Sequence, residues 1–225
     1  MMRTRIKICG LTRPQDVAAA GRLGVDAVGF VCYERSPRFV PTERLAWLAA
    51  ELAPFITPVL LFVNAPRAQI ERALQAVPHA LLQFHGDEPD RDCAGFGRAY
   101  LRAVAVGENV DLLDWEKQHP TACALLADAP SAAFGGSGRA FDWSRLPAAQ
   151  QRSRPLILAG GLDASNVGAA IRAVRPYGVD VSSGVEMEPG VKSEALMREF
   201  VDAVRAVDLE CPESESIADE TLRSA

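Results

Sequence analysis

The chain has 225 residues, 48% of them hydrophobic and 24% charged, with a formal net charge of −5. That balance suits a globular protein with a buried core, and the length allows one large domain or two small ones. A net acidic chain excludes nucleic acid and anionic membrane as the main partner, since both demand clustered Lys and Arg.

Apolar, β-branched runs recur along the chain at residues 5–9, 27–31, 56–63, 81–84, 100–106, 122–128, 156–160 and 179–183. Each predicts a strand. Helical stretches separate them. "RPQDVAAAGRLG" carries Pro14 at a helix start and Gly24 at its stop. "PTERLAWLAAELA" spaces Leu45, Leu48 and Leu52 along one helical face, and "APRAQIERALQAV" does so with Ile70, Leu74 and Val77. "NVDLLDWEKQ", "DASNVGAAIRAV" and "SEALMREFVDAVRAV" complete the set. Two connections are weak helices: 90–95 is short, and 142–149 is broken by Pro147. Strands alternating with helices predict a parallel sheet, and eight such units in this length favour a single closed (β/α)8 (TIM) barrel over an open sheet. No G-x-G-x-x-G follows the first strand, which argues against a dinucleotide site. The barrel is expected over 1–207, and the acidic "DLECPESESIADETLRSA" end (208–225) reads as a loose tail.

No run reaches the ~18 apolar residues of a membrane span, and the apolar part of "MMRTRIKICG" is too short for a signal peptide. Five scattered cysteines with no C-x-x-C pair predict reduced thiols and a cytoplasmic location. The three histidines match no metal spacing, so no metal is expected.

In a parallel barrel the chemistry gathers at the C-terminal ends of the strands. Strand one ends in Cys9, strand four leads into Gln83 and His85, strand six ends in Asp128, and the last two lead into "AGGLDASN" and "SSGVE". Strands one and six lie three apart around an eight-strand ring, so Cys9 and Asp128 face each other across the mouth. Taken alone, each has a bland reading: Cys9 as a small buried hydrophobe and Asp128 as a helix cap. Asp142 in "FDW" is the better cap, and the 129–141 loop with Gly135, Gly136 and Gly138 reads as a mobile active-site segment. Gly160, Gly161, Ser183 and Gly184 stand where barrels hold a phosphate on loop amides; ordinary tight turns are the alternative. Arg38 in "ERSPRFV" is a solvated loop charge or the partner of a second anionic group. His85 and Gln83 share an inward face, where a pocket-lining and a structural role are equally open. Lys7 shares the inward face of strand one with Cys9, about 7 Å below it. Strand eight, adjacent on closure, offers Asp180 as its partner.

These motifs occur in order as "KICGLT", "GFVCYERSPRFV", "LFVN", "QFHGDE", "LADA", "GGSGRAFDW", "LAGGLDASNV" and "VDVSSGVEMEPGVK". Together they resemble the phosphoribosylanthranilate isomerase family of tryptophan biosynthesis, over roughly residues 6–204. Phe84, Ser137 and Ser193 stand where that family more often has Leu, Thr and Asp. The resemblance implies an Amadori rearrangement of a phosphoribosylated aromatic amine, with no cofactor. It implies Asp128 as general acid, Cys9 as general base and Arg38 on the anthranilate carboxylate. The loops around Gly161 and Ser183 would hold the phosphate of a small sugar-phosphate substrate. The protein is then expected as a monomer or homodimer. A free Asp ionises near pH ~3.9 and a free Cys near ~8.5, so these roles require the site to shift both. A nearby cation such as Lys7 is expected to favour the thiolate. The histidine-pathway sugar-phosphate isomerase is expected to carry a carboxylate where Cys9 stands. Indole-glycerol-phosphate synthase is expected to carry a lysine there.

Overall fold

Eight parallel strands close into a ring in the order of the sequence. The computed structural model describes residues 3–130 and 141–210. The ring consists of β1 (Arg5–Cys9), β2 (Ala27–Val31), β3 (Thr57–Phe62), β4 (Leu81–Phe84), β5 (Tyr100–Ala105), β6 (Ala124–Asp128), β7 (Leu156–Leu158) and β8 (Gly178–Val181). β1 pairs with β2 on one side and β8 on the other, placing Lys7 opposite Asp180, so no edge is left open.

Alternation sorts the side chains into two apolar layers. Ile6 and Ile8 of β1, Phe30 of β2 and Leu60 of β3 point outward into the main core beneath the helices, and all are fully buried. Each such side chain contributes roughly 1.5–3 kcal/mol by leaving water. Inside the ring, Val59, Leu101 and Ala124 fill the end where the strands begin, while Cys9, Val31, Leu61 and Val63 cluster where they finish. The outer layer is α1 (Pro14–Arg22), α2 (Thr42–Ala49), α3 (Arg67–Ala76), α4 (Asp90–Ala94), α5 (Leu112–Gln118), α6 (Val167–Val174) and α7 (Glu194–Glu210). α4 is a single short turn, and between β6 and β7 the described residues hold only two 3-10 turns, at Trp143–Arg145 and Ala149–Gln151, on either side of Pro147. Asp142 caps the first of these, accepting the Ser144 N–H at 3.0 Å.

β3, β5, β6 and β7 are one or two residues shorter than read, and the structure departs further from the sequence reading in three places. Ser183 belongs to a 3-10 turn (Ser183–Val185), not to the eighth strand, which ends at Val181. A hairpin of β9 (Glu186–Glu188) and β10 (Val191–Lys192) follows, turning through Gly190 at φ +84°. Strands this short carry too little alternation to announce themselves. α7 runs to Glu210, past the expected boundary at 207, because Val204 and Val207 are buried and Asp208 accepts the Thr4 N–H and hydroxyl. The glycines Gly135, Gly136 and Gly138, with the mobile segment read there, and the acidic end from 211 lie outside the described residues.

Candidate active site

At the C-terminal end of the ring, one cavity is lined by Cys9, Arg38, His85, Asp128, Gly160, Gly161, Asp180 and Ser183. Larger hollows occur elsewhere, one at the opposite mouth of the barrel around Phe55 and Val59 and one walled by Arg152, Arg154, Arg172 and Arg175, but neither lies at the C-terminal ends of the strands. The sequence reading expected seven of these at this end and Asp180 lower in the barrel, as the partner of Lys7. Lys7 lies beneath them, and Gly184 is set behind the wall.

Cys9 owes its position to β1, whose last residue points inward beside β2. Gly29 on β2 is bare there for a reason: a Cβ at that position would sit 2.6 Å from the Cys9 sulfur. Below, Lys7 Nζ donates to both carboxylate oxygens of Asp180 at 2.9 and 3.0 Å, with both side chains buried. Burial disfavours the Lys7 ammonium, but Asp180 and Cys9 outweigh it and raise its pKa. The thiol goes the other way from the sequence expectation. Burial pushes the Cys9 pKa up, and although Lys7 and Lys192 pull it down, Asp180 adds to the rise. Desolvation wins, so the resting group is the neutral thiol.

Asp128 ends β6 and is buried. The Ala129 N–H donates to its Oδ1 at 2.8 Å, and His85 Nε2 stands 3.3 Å from its Oδ2. The far side of that ring, Nδ1, meets the Gln83 amide at 3.3 Å, so His85 is held between Gln83 and Asp128. Gly160, at φ +81°, lets the seventh loop pass over this group; a Cβ would stand 2.5 Å from the Ala129 nitrogen and 3.0 Å from Asp128 Oδ1. The same loop is tied by Asp163, whose Oδ1 accepts from Ser165 and Asn166, while Asn166 holds the Gly161 carbonyl at 2.8 Å. A side chain on Gly184 would overlap the Leu162 carbonyl, so this glycine lets the seventh and eighth loops touch.

Residues the sequence reading left unassigned complete the wall. Arg38 donates through Nε and Nη2 to the two oxygens of Glu186, at 2.8 and 2.6 Å. Glu186 Oε1 also accepts Lys192 Nζ at 2.7 Å, and Lys192 reaches the Ser182 carbonyl at 3.0 Å. Ser182 in turn donates to the Cys9 carbonyl at 3.0 Å. Glu186 and Lys192 stand in the "EMEPGVK" stretch, to which the sequence reading gave no role. Only the hairpin folds them inward.

Chains of known type carry a similar sequence over most of this span. The family model described as N-(5'-phosphoribosyl)anthranilate (PRA) isomerase matches residues 6–203. The chain belongs to the N-(5'-phosphoribosyl)anthranilate isomerase family. The isomerase of Leptothrix cholodnii is 50% identical over 206 residues, covering 92% of this chain and 93% of that one. The isomerase of Nitrosococcus oceani is 47% identical over 208 residues, covering 92% and 100%. Among solved structures, phosphoribosyl anthranilate isomerase from Thermotoga maritima superposes with a TM-score of 0.83 at 36% identity, covering 90% of this chain and 99% of that one. An isomerase in complex with reduced 1-(o-carboxyphenylamino)-1-deoxyribulose 5-phosphate superposes at 0.76 with 32% identity, covering 90% and 99%. Membership sets this isomerase apart from the histidine-pathway enzyme and indole-glycerol-phosphate synthase.

Proposed function

We propose that the protein converts N-(5-phosphoribosyl)anthranilate into 1-(2-carboxyphenylamino)-1-deoxyribulose 5-phosphate, an internal redox exchange in which C1′ is reduced and C2′ oxidised. Asp128 gives a proton to the furanose ring oxygen as the anthranilate nitrogen pushes the ring open to an imine. Cys9, as thiolate, takes the proton from C2′, and the electron pair flows into the imine to give an enolamine. Tautomerisation moves a proton to C1′ and leaves a ketone at C2′. The imine is the electron sink, so the chemistry calls for no cofactor or metal. Arg38 takes the anthranilate carboxylate, and the loops at Gly160–Gly161 and Ser183 take the phosphate.

The observation that carries this reading is the convergence of Cys9 and Asp128, from strands three apart, on one cavity with Arg38. The relative solved with a reduced carboxyphenylamino-deoxyribulose phosphate supports the ligand class. The test generates phosphoribosylanthranilate in place from anthranilate and phosphoribosyl pyrophosphate and follows loss of its fluorescence. Wild type consumes it; Cys9→Ala and Asp128→Asn, folded as wild type, do not. Full activity in either variant overturns the assignment. Four described cysteines, Cys9, Cys32, Cys93 and Cys123, are unpaired, in keeping with a reducing, cytoplasmic setting. No helix among the described residues is long and apolar enough to cross a membrane. We place the barrel in one domain that acts as a monomer or homodimer.

A further inference from the structure

The charges beside Cys9 do not cancel. Arg38 and Lys192 bring two cations, and Glu186 is the one carboxylate they share. All three side chains are largely withdrawn from water, Lys192 at 0% and Glu186 at 4% exposure. Glu186 is saturated: Oε1 accepts Arg38 Nε, Lys192 Nζ and, at 3.2 Å, the Gly190 N–H, while Oε2 accepts Arg38 Nη2. Arg38 is not. A guanidinium has five N–H groups in a fixed fork, and Glu186 takes one from Nε and one from Nη2. Among the described residues nothing takes Nη1, and Arg38 borders the cavity. Its end-on edge, Nη1 with the second hydrogen of Nη2, has the geometry to receive a carboxylate in bidentate fashion. The stem is placed as firmly as the head. Gly10, at φ +78° just after Cys9, has no Cβ, and one built there would run into Arg38 Cδ.

We propose that Glu186 is a positioning residue that sets specificity: it clamps Arg38 by its side so that the end-on edge meets the ring carboxylate of the substrate and brings C2′ to Cys9. Lys192 braces the clamp, and through Ser182 ties it to the backbone of Cys9. A clamp of this kind differs from a structural ion pair in what it discriminates. It acts only on a substrate that carries the carboxylate. The inference rests on the reaction proposed above and deepens it.

Two substrates that differ only in that carboxylate test it: phosphoribosylanthranilate and the phosphoribosyl-aniline formed from aniline and ribose 5-phosphate. Wild type is expected to prefer the first in kcat/KM by 100-fold or more. Glu186→Gln keeps the size and removes the charge. It should cut that preference at least tenfold, chiefly through a higher KM for phosphoribosylanthranilate, with a clearly smaller loss on the aniline substrate. Equal losses on both substrates, or no loss on either, overturn the proposal. A wild-type crystal structure with reduced 1-(o-carboxyphenylamino)-1-deoxyribulose 5-phosphate tests it without a variant. Arg38 must keep both bonds to Glu186 while it meets the ligand carboxylate, and a released Glu186 refutes the clamp. Failure of wild type to convert phosphoribosylanthranilate removes the reaction and the clamp together. A lost preference with conversion intact, or its retention in Glu186→Gln, bears on the clamp alone.

Discussion

The Cys9 thiol, proposed above as the base, is kept protonated at rest by its surroundings. Burial outweighs the neighbouring ammonium groups, so the rate should climb with pH as the thiolate fraction grows. Lys7 favours the thiolate. In Lys7→Met the acidic limb of the kcat profile should therefore move to higher pH, and a profile from pH 6 to 9.5 reads the direction; a shift toward acid contradicts the placement of Lys7. Cys9→Ala should lose about 10²–10⁴ in kcat, the usual share of a general base. Gly29 gives a subtler probe. In Gly29→Ala the new methyl displaces the Cys9 sulfur at a cost of about 1–3 kcal/mol in stability. Its kcat should fall tenfold or more, which a melting curve and an assay on one preparation would separate. The inward placement of Lys7 and Asp180 was legible in the sequence, because strict alternation and ring closure leave them nowhere else to point. The direction of the Cys9 shift was not. It depends on how much water the closed ring removes, and no pair of residues encodes that.

Among the elements, the strands were the most legible, since residues apolar on both faces suit only a sheet covered on both sides. The hairpin β9–β10 was not, and with it went Glu186 and Lys192: charged residues in a Pro-Gly stretch are ordinarily solvated, and only the fold reverses that. α5 ends beside another buried polar group. His119 stacks on Trp115 with ring centroids 5.4 Å apart, while the Arg102 guanidinium lies 5.1 Å over the same indole. Burial, helped by Arg102, pushes its pKa down to about 4. An unfolded chain protonates His119 near pH ~6.5, so between there and about 4 the unfolded state binds the extra proton. The stability that neutral His119 contributes is full above that window and drains away as pH falls through it. Thermal melts from pH 7 to 4 should show a shallower decline in His119→Gln than in wild type; parallel curves would exclude His119 as the cause.

At the scale of the whole molecule, the barrel keeps a buried ion pair where its first and last strands meet. Lys7→Met alone strands the Asp180 carboxylate inside the ring and should cost about 3–5 kcal/mol, whereas Lys7→Met with Asp180→Leu should recover most of it. Denaturant melts of the two variants distinguish an isolated charge from a packing defect. The seam has a consequence in time as well as in energy. Lys7 and Asp180 are separated by 173 residues, and β8 is the last strand of the ring to emerge during synthesis. Contacts so distant in sequence form late, after shorter loops have closed. Until β8 docks, Cys9 has neither its floor nor the Ser182 hydroxyl on its carbonyl, although the outer helices can already be wound. A refolding or nascent chain should therefore regain its helical signal before it turns over any substrate, and the interval between the two is the lifetime of an open barrel.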